Sequence, residues 1–221
     1  MSNYILHIET ATKVCSVALS ENGKEISKKE IASDQYIHGE SITIFITNVL
    51  AEAKIQMTDL SAVSVSSGPG SYTGLRIGAS TVKGICYALD IPLIVVPTLE
   101  SLQALAKINY PNSAHCIMLD ARRMEVYSQI WSTNNKIVKP LSADVLDETS
   151  YLDFMPFVCI GDGCDKMKEL WKENSVEFNS ALLPSASGQI EIAYNKFLRK
   201  DFTDVAKFVP DYLKEFQSTG H

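Results

Sequence analysis

Apolar residues recur at strand spacing at the start of the chain and then switch to helix spacing. Tyr4 to Glu9 alternates and is rich in aliphatics, and after a turn at Thr10 to Lys13 the run Val14 to Ser20 reads as a second strand. Glu21-Asn22-Gly23-Lys24 is a hairpin turn, because Asn-Gly tolerates positive φ, and Glu25 to Ala32 is a third strand. Ile42, Phe45, Ile46, Val49, Leu50 and Ala53 then fall on one stripe, which predicts an amphipathic helix over Ser41 to Lys54. Ala62 to Ser67 is a short apolar strand, Gly68-Pro69-Gly70-Ser71 a turn, and Tyr72 to Leu89 a helix stopped by Asp90-Ile91-Pro92. Leu93 to Val96 is another buried strand, and Pro97-Thr98 starts a helix to Lys107 with Thr98 as its N-cap.

The pattern restarts half a chain later. His115 to Asp120 is a strand, Ala121-Arg122-Arg123 a turn, Met124 to Ser132 a second strand, and Ile137 to Leu141 a third after Asn134-Asn135. A helix around Leu152, a strand from Phe157 to Gly161, a helix from Asp165 to Glu173 and a last helix from Gln189 to Lys200 complete it. Both halves open with a strand ending in an acidic residue, Glu9 and Asp120, followed by a short turn and another strand. This order predicts an α/β fold of the actin-like ATPase (ASKHA, ribonuclease H-like) class, with two duplicated lobes facing a cleft. The expected division is 1–106 for the N-terminal lobe and 107–221 for the C-terminal lobe.

Composition narrows what such a chain can do. Its 221 residues are 46% hydrophobic and 21% charged, enough apolar material for a real core. A net charge of −6 with scattered Lys and Arg does not fit a protein that grips a nucleic-acid backbone alone. Five cysteines at unrelated spacings give no legible disulfide framework, and most sit in apolar stretches, where a thiol acts as a small hydrophobe. Cys159-Ile160-Gly161-Asp162-Gly163-Cys164 has no standard zinc spacing and reads as a Gly-Asp-Gly turn after a strand. With no leader-like N-terminus and no run of about 18 apolar residues, a cytoplasmic protein without a membrane span is expected.

The strongest local motif is Ser66-Ser67-Gly68-Pro69-Gly70-Ser71-Tyr72-Thr73-Gly74-Leu75-Arg76-Ile77-Gly78. A glycine-rich turn from strand to helix N-terminus can cradle an anion on its backbone amides, so Gly68, Gly70 and Ser71 are candidate anion or nucleotide contacts. The plainer alternative is a tight turn that needs positive φ at Gly68 or Gly70. Gly74, Gly78 and Gly84 each cost about 1 kcal/mol in a helix interior, which a close backbone approach can offset. Gly74 and Gly78 share one face. Packing inside the molecule and a flat strip presented to another protein, with off-stripe Ile44, both remain open from sequence.

Glu9-Thr10-Ala11-Thr12 stands where actin-fold kinases carry an Asp-x-Gly phosphate turn, and Asp120-Ala121-Arg122-Arg123 stands at the equivalent place in the second half. Neither contains glycine, which disfavours tight ATP binding. Arg122 is the remaining candidate phosphate contact, in competition with a salt bridge to Glu125 or Asp120. His7, His38, His115 and His221 are isolated, and His38 with Glu40 reads as a solvated cap, so no metal site is expected. Ser66, Ser67 and Ser71 lack a nucleophile elbow and an evident His partner, so no catalytic residue is assigned.

At these residues the chain resembles the bacterial TsaB (YeaZ) family. The likeness is carried by Ile8-Glu9-Thr10-Ala11-Thr12, Ser16-Val17-Ala18-Leu19, the Gly68 to Gly78 stretch, Asp120-Ala121-Arg122-Arg123 with Glu125-Val126-Tyr127, and Pro210-Asp211-Tyr212-Leu213-Lys214. Lys214 stands where arginine is common. The resemblance implies the two-lobed fold and a non-catalytic dimerisation or scaffold role in making N6-threonylcarbamoyladenosine at position 37 of tRNA. The implied partners are a TsaD-like catalytic subunit, a TsaE-like ATPase and, through the complex, tRNA, with a homodimer when the chain is alone. Helices Ser41–Lys54 and Tyr72–Leu89 would then form the partner surface, with Ile44, Tyr72, Gly74, Arg76 and Gly78 as its residues. On that reading Gly74→Leu or Gly78→Leu should block the partner and spare the fold. No cofactor is expected, apart from a weakly held nucleotide at a subunit junction. An independent actin-fold phosphotransferase or a metallopeptidase-like enzyme is the alternative, and a stand-alone homodimer that binds something in its cleft is the third reading.

Overall fold

The structure, a computed structural model, describes residues 2–33 and 38–213. Two five-stranded sheets organise the chain, and each is wound the same way. In the first, β1 (Tyr4–Glu9), β2 (Val14–Glu21) and β3 (Lys24–Ala32) form an antiparallel meander. β4 (Leu60–Ser66) and β5 (Leu93–Val96) then extend it in parallel from β1, in the order β3-β2-β1-β4-β5. The second repeats this with β6 (His115–Asp120), β7 (Glu125–Trp131), β8 (Ile137–Val145), β9 (Val158–Ile160) and β10 (Glu177–Asn179), ordered β10-β9-β6-β7-β8. Read from the opposite edge, that is the first order again. The fold is the actin-like α/β class with two duplicated lobes.

Local chemistry explains the elements. The first hairpin turns at Asn22 and Gly23, both at positive φ (49° and 77°), as an Asn-Gly pair allows. Helices α1 (His38–Ala53) and α2 (Tyr72–Leu89) cover one face of the first sheet. Ile42, Ile46, Val49 and Leu50 of α1 and Ala79, Val82 and Cys86 of α2 meet Leu6, Ile8, Val63 and Val65 there. α4 (Ile190–Arg199) covers the other face, with Ala193 against Ile5, Ala62, Ile94 and Val96. In β6 the alternation of side chains sends Ile117 and Leu119 to α3 (Thr98–Asn109), while Cys116 and Met118 face Trp171.

Some elements differ from the sequence reading. α1 begins at His38, three residues early, because the His38 ring is buried and its Nε2 bonds the Thr12 carbonyl at 2.8 Å; it is not a solvated cap. α3 takes Pro97 as its N-cap position, and the Thr98 hydroxyl is buried without a hydrogen-bond partner. The helix expected over Asp165 to Glu173 is a 3-10 segment, Asp162–Met167, followed by turns. Gly161 and Gly163 press this stretch onto the β6 backbone at Met118 and Leu119, and one α-type bond, Trp171 N–H to Met167 O at 2.8 Å, remains. The helix around Leu152 is likewise a short 3-10 turn, Leu152–Phe154, and β10 carried too little pattern to be read.

Candidate functional site

The glycine-rich turn and the Glu9–Thr12 turn lie against each other, and the chain's own atoms fill the space between them. Ser71 N–H, at the head of α2, donates to the Ala11 carbonyl at 2.6 Å, and a Cβ at Gly70 would fall on that same carbonyl. Gly68 takes φ +113° and lies under the Asp211 carbonyl, while Asp211 N–H donates to Ser67 O at 2.6 Å. The Ser71 hydroxyl caps Gly74 N–H at 3.2 Å. The tight turn with positive φ at Gly68 is present. The Ala11 carbonyl occupies the Ser71 amide, one of those an anion could use there.

Behind this turn sits a closed polar chain that no sequence motif announced. Glu9 is fully buried. It accepts hydrogen bonds from Ala11 N–H at 2.8 Å, from the Ser66 hydroxyl, and from Gln189 Nε2 at 3.4 Å. Burial raises its pKa, and these donors offset part of that rise. Gln189 Nε2 also donates to the Ile8 carbonyl at 2.8 Å, which fixes the amide's orientation. Its Oε1 must then accept from Ser64 at 2.7 Å, so Ser64 accepts from His7 Nδ1 at 2.7 Å. His7 Nε2 is left to accept from Ser20 at 2.7 Å. Burial holds the His7 pKa down at about 3, so the ring is a neutral imidazole. This Ser–His contact has no opening to solvent: His7, Ser20, Ser64 and Gln189 are all at zero exposure. It is a buried strut between the first sheet and the segment before α4.

In the second lobe Arg122 and Arg123 both take positive φ, 70° and 51°. The Asp120 carboxylate accepts from the Arg122 backbone N–H at 2.6 Å and pairs with Lys166 Nζ at 2.5 Å. The ion partner of Asp120 is thus Lys166, where Arg122 was one expectation. Lys166 Nζ reaches Glu125 O as well, at 2.6 Å. Asp162 receives the Asp120 backbone N–H at 2.9 Å, and burial raises its pKa.

Helix α2 divides the remaining candidates. Gly74 and Gly78 turn inward: a Cβ at Gly74 would fall on the Thr10 carbonyl, and one at Gly78 would lie 2.5 Å from Thr10 Oγ1 and 3.3 Å from Val65. The packing alternative holds for these two glycines, and they form no outward strip. A leucine at either would strike the β1 turn, so the expectation that Gly74→Leu and Gly78→Leu spare the fold fails. Gly84 has no such approach: among the described residues nothing lies within 4 Å of its Cβ position. The outward side carries Tyr72, Thr73, Arg76, Ile77, Ser80 and Thr81 around a shallow depression of about 460 Å³. Arg76 lies 4.0 Å over the Tyr72 ring, and Tyr72 meets Tyr212 at 4.7 Å. Ile44 of α1 is 58% exposed. Lys214, the last residue of the C-terminal motif, lies outside the described residues. Among the described residues no three His, Cys, Asp or Glu side chains are placed to share a metal ion, and no helix is long and apolar enough to cross a membrane.

The model of the family described as TsaD, tRNA N6-adenosine threonylcarbamoyltransferase, matches residues 24–219. The chain belongs to this family. Its likeness runs to the TsaB (YeaZ) members over nearly the full length. The Escherichia coli K12 protein named tRNA threonylcarbamoyladenosine biosynthesis protein TsaB is 28% identical, covering 95% of this chain and 94% of that one. The Bacillus subtilis 168 protein of the same name is 27% identical, over 95% and 93%. Among solved structures, YeaZ from Pseudomonas aeruginosa superposes with a TM-score of 0.83 at 23% identity, covering 95% of this chain and 99% of that one, which shows the shared fold.

Proposed function

We propose that this chain is a non-catalytic subunit in the formation of N6-threonylcarbamoyladenosine on tRNA, and that it docks a TsaD-type catalytic subunit on the outward faces of α1 and α2. The observation that carries the reading is the filled turn at the head of α2. Ala11 offers its carbonyl to Ser71 N–H, one of the amides at the head of α2, and the fully buried Glu9 side chain lies behind it. A nucleotide phosphate at Ser71 would have to displace a made hydrogen bond, which supports reading the first lobe as a closed support.

The docking surface is assigned to Ile44, Tyr72 and Arg76, joined by Thr73, Ile77 and Ser80. Arg76 stacked on Tyr72 supplies a flat cationic and aromatic element of the kind that anchors protein interfaces. The threonylcarbamoyltransferase activity for which the family is named supports the choice of a tRNA-modifying partner. A TsaE-type ATPase and tRNA would join through the complex, in the cytoplasm, and the same helix faces would pair two copies when the partner is missing. The chain carries no cofactor of its own on this reading, and a nucleotide at a subunit junction would meet Arg122.

Reconstitution from purified components tests this, with the modified nucleoside read by mass spectrometry. Product that requires both this chain and the TsaD-type subunit is expected. Product from this chain and the threonylcarbamoyl donor alone would overturn the non-catalytic assignment.

A further inference from the structure

Three of the five cysteines form a group in the second core. The parallel register of β6 and β9 sets Cys116 directly beside Cys159. Both face Trp171, and the turn through Gly161, Asp162 and Gly163 brings Cys164 back onto them. The Cys159 and Cys164 sulfurs lie 2.9 Å apart, less than about 1 Å beyond the ~2.05 Å of a disulfide bond. All three are free thiols with no exposed surface. Cys116 and Cys159 are held on neighbouring strands of one sheet. Cys164 belongs to the short 3-10 segment Asp162–Met167, outside both strands, where its N–H bonds Gly161 O at 3.1 Å. Closing the remaining gap would fall to this segment and not to the two paired strands.

We propose that Cys159 and Cys164 are an oxidative modification site, converted by a peroxide into an intramolecular disulfide. The Cys164 sulfur attacks the peroxide, an S–O bond forms as the O–O bond breaks, and one water leaves. The Cys159 sulfur then displaces that oxygen: an S–S bond forms, the S–O bond breaks, and the Cys159 proton departs in a second water. The two thiols lose two electrons, which reduce hydrogen peroxide to two waters, and a thiol reductant reverses the change. Burial pushes all three thiols up, so few are thiolates at neutral pH and the reaction waits on local opening of the Asp162–Met167 segment. Oxidation is therefore slow, and in a reducing compartment the pair rests as thiols. The bond would pin the turn whose Asp162 holds the Asp120 amide.

The test uses the full folded chain and hydrogen peroxide. Protein is incubated, unfolded and alkylated, and its intact mass is read before and after treatment. Five adducts are expected before oxidation and three after, with the tryptic peptide containing both Cys159 and Cys164 lighter by two hydrogens. Cys164→Ser should keep all four of its adducts under the same treatment. Retention of five adducts by the wild type overturns the proposal. So does loss mapped to Cys15, Cys86 or Cys116, or oxygen added to sulfur without a cross-link.

Discussion

The two sides of α2 differ in almost every physical respect. Inward, Gly74 and Gly78 let the helix lie on the Thr10 turn, where added methyl groups would collide with backbone and hydroxyl oxygen. Outward, Thr73, Arg76 and Ser80 are exposed around a shallow depression, and Gly84 meets open space. A glycine in a helix is thus not one kind of signal. The first two secure the close approach that keeps the Glu9 turn shut, and the third has no packing reason among the described residues.

The largest effect should come from closing the inward side. Gly78→Leu is expected to lose at least about 3 kcal/mol of stability by overpacking, read as a large drop in melting temperature; a fold of unchanged stability would remove the distinction between the sides. The polar chain behind that turn should show in an acid titration. With His7 at about 3 in the folded chain and near 6.5 when unfolded, its contribution is complete above pH 6.5 and is lost as pH falls toward 3. The loss is on the order of several kcal/mol. His7→Gln should start less stable but decline less steeply across that window. Glu9 has the opposite sign: its raised folded pKa means its share of stability falls as pH rises through that value. On the outward side, Ile44→Asp with Arg76→Glu should leave the melting temperature within about a degree or two, because exposed substitutions cost little. Last, Gly84→Ala should stabilise the isolated chain by up to about 1 kcal/mol, and a destabilised variant would mean that Gly84 has a packing role after all.

Much of this was legible in the sequence, for reasons that sort by range. The strand meanders, the Asn22-Gly23 turn and the α1 stripe are local, and spacing alone finds them. So is the doubling of the lobes, because the element order repeats. The direction in which Gly74 and Gly78 face was not legible, since it depends on where Thr10 comes to lie across the sheet. The His7–Ser64–Gln189–Glu9 chain joins residues from distant parts of the sequence, and no spacing rule links them. The Asp162–Met167 segment was misread as helix because Met167 and Trp171 do have helical spacing, while glycine contacts with β6 set the actual path.

The most direct test of the central claim is the mass of the complex formed with a TsaD-type subunit, measured by sedimentation for the wild type and for the Ile44→Asp, Arg76→Glu double variant. A stable complex with the wild type is expected, and binding at least tenfold weaker with the folded variant. Equal binding by both would contradict it and move the docking surface off the outward face of α1 and α2.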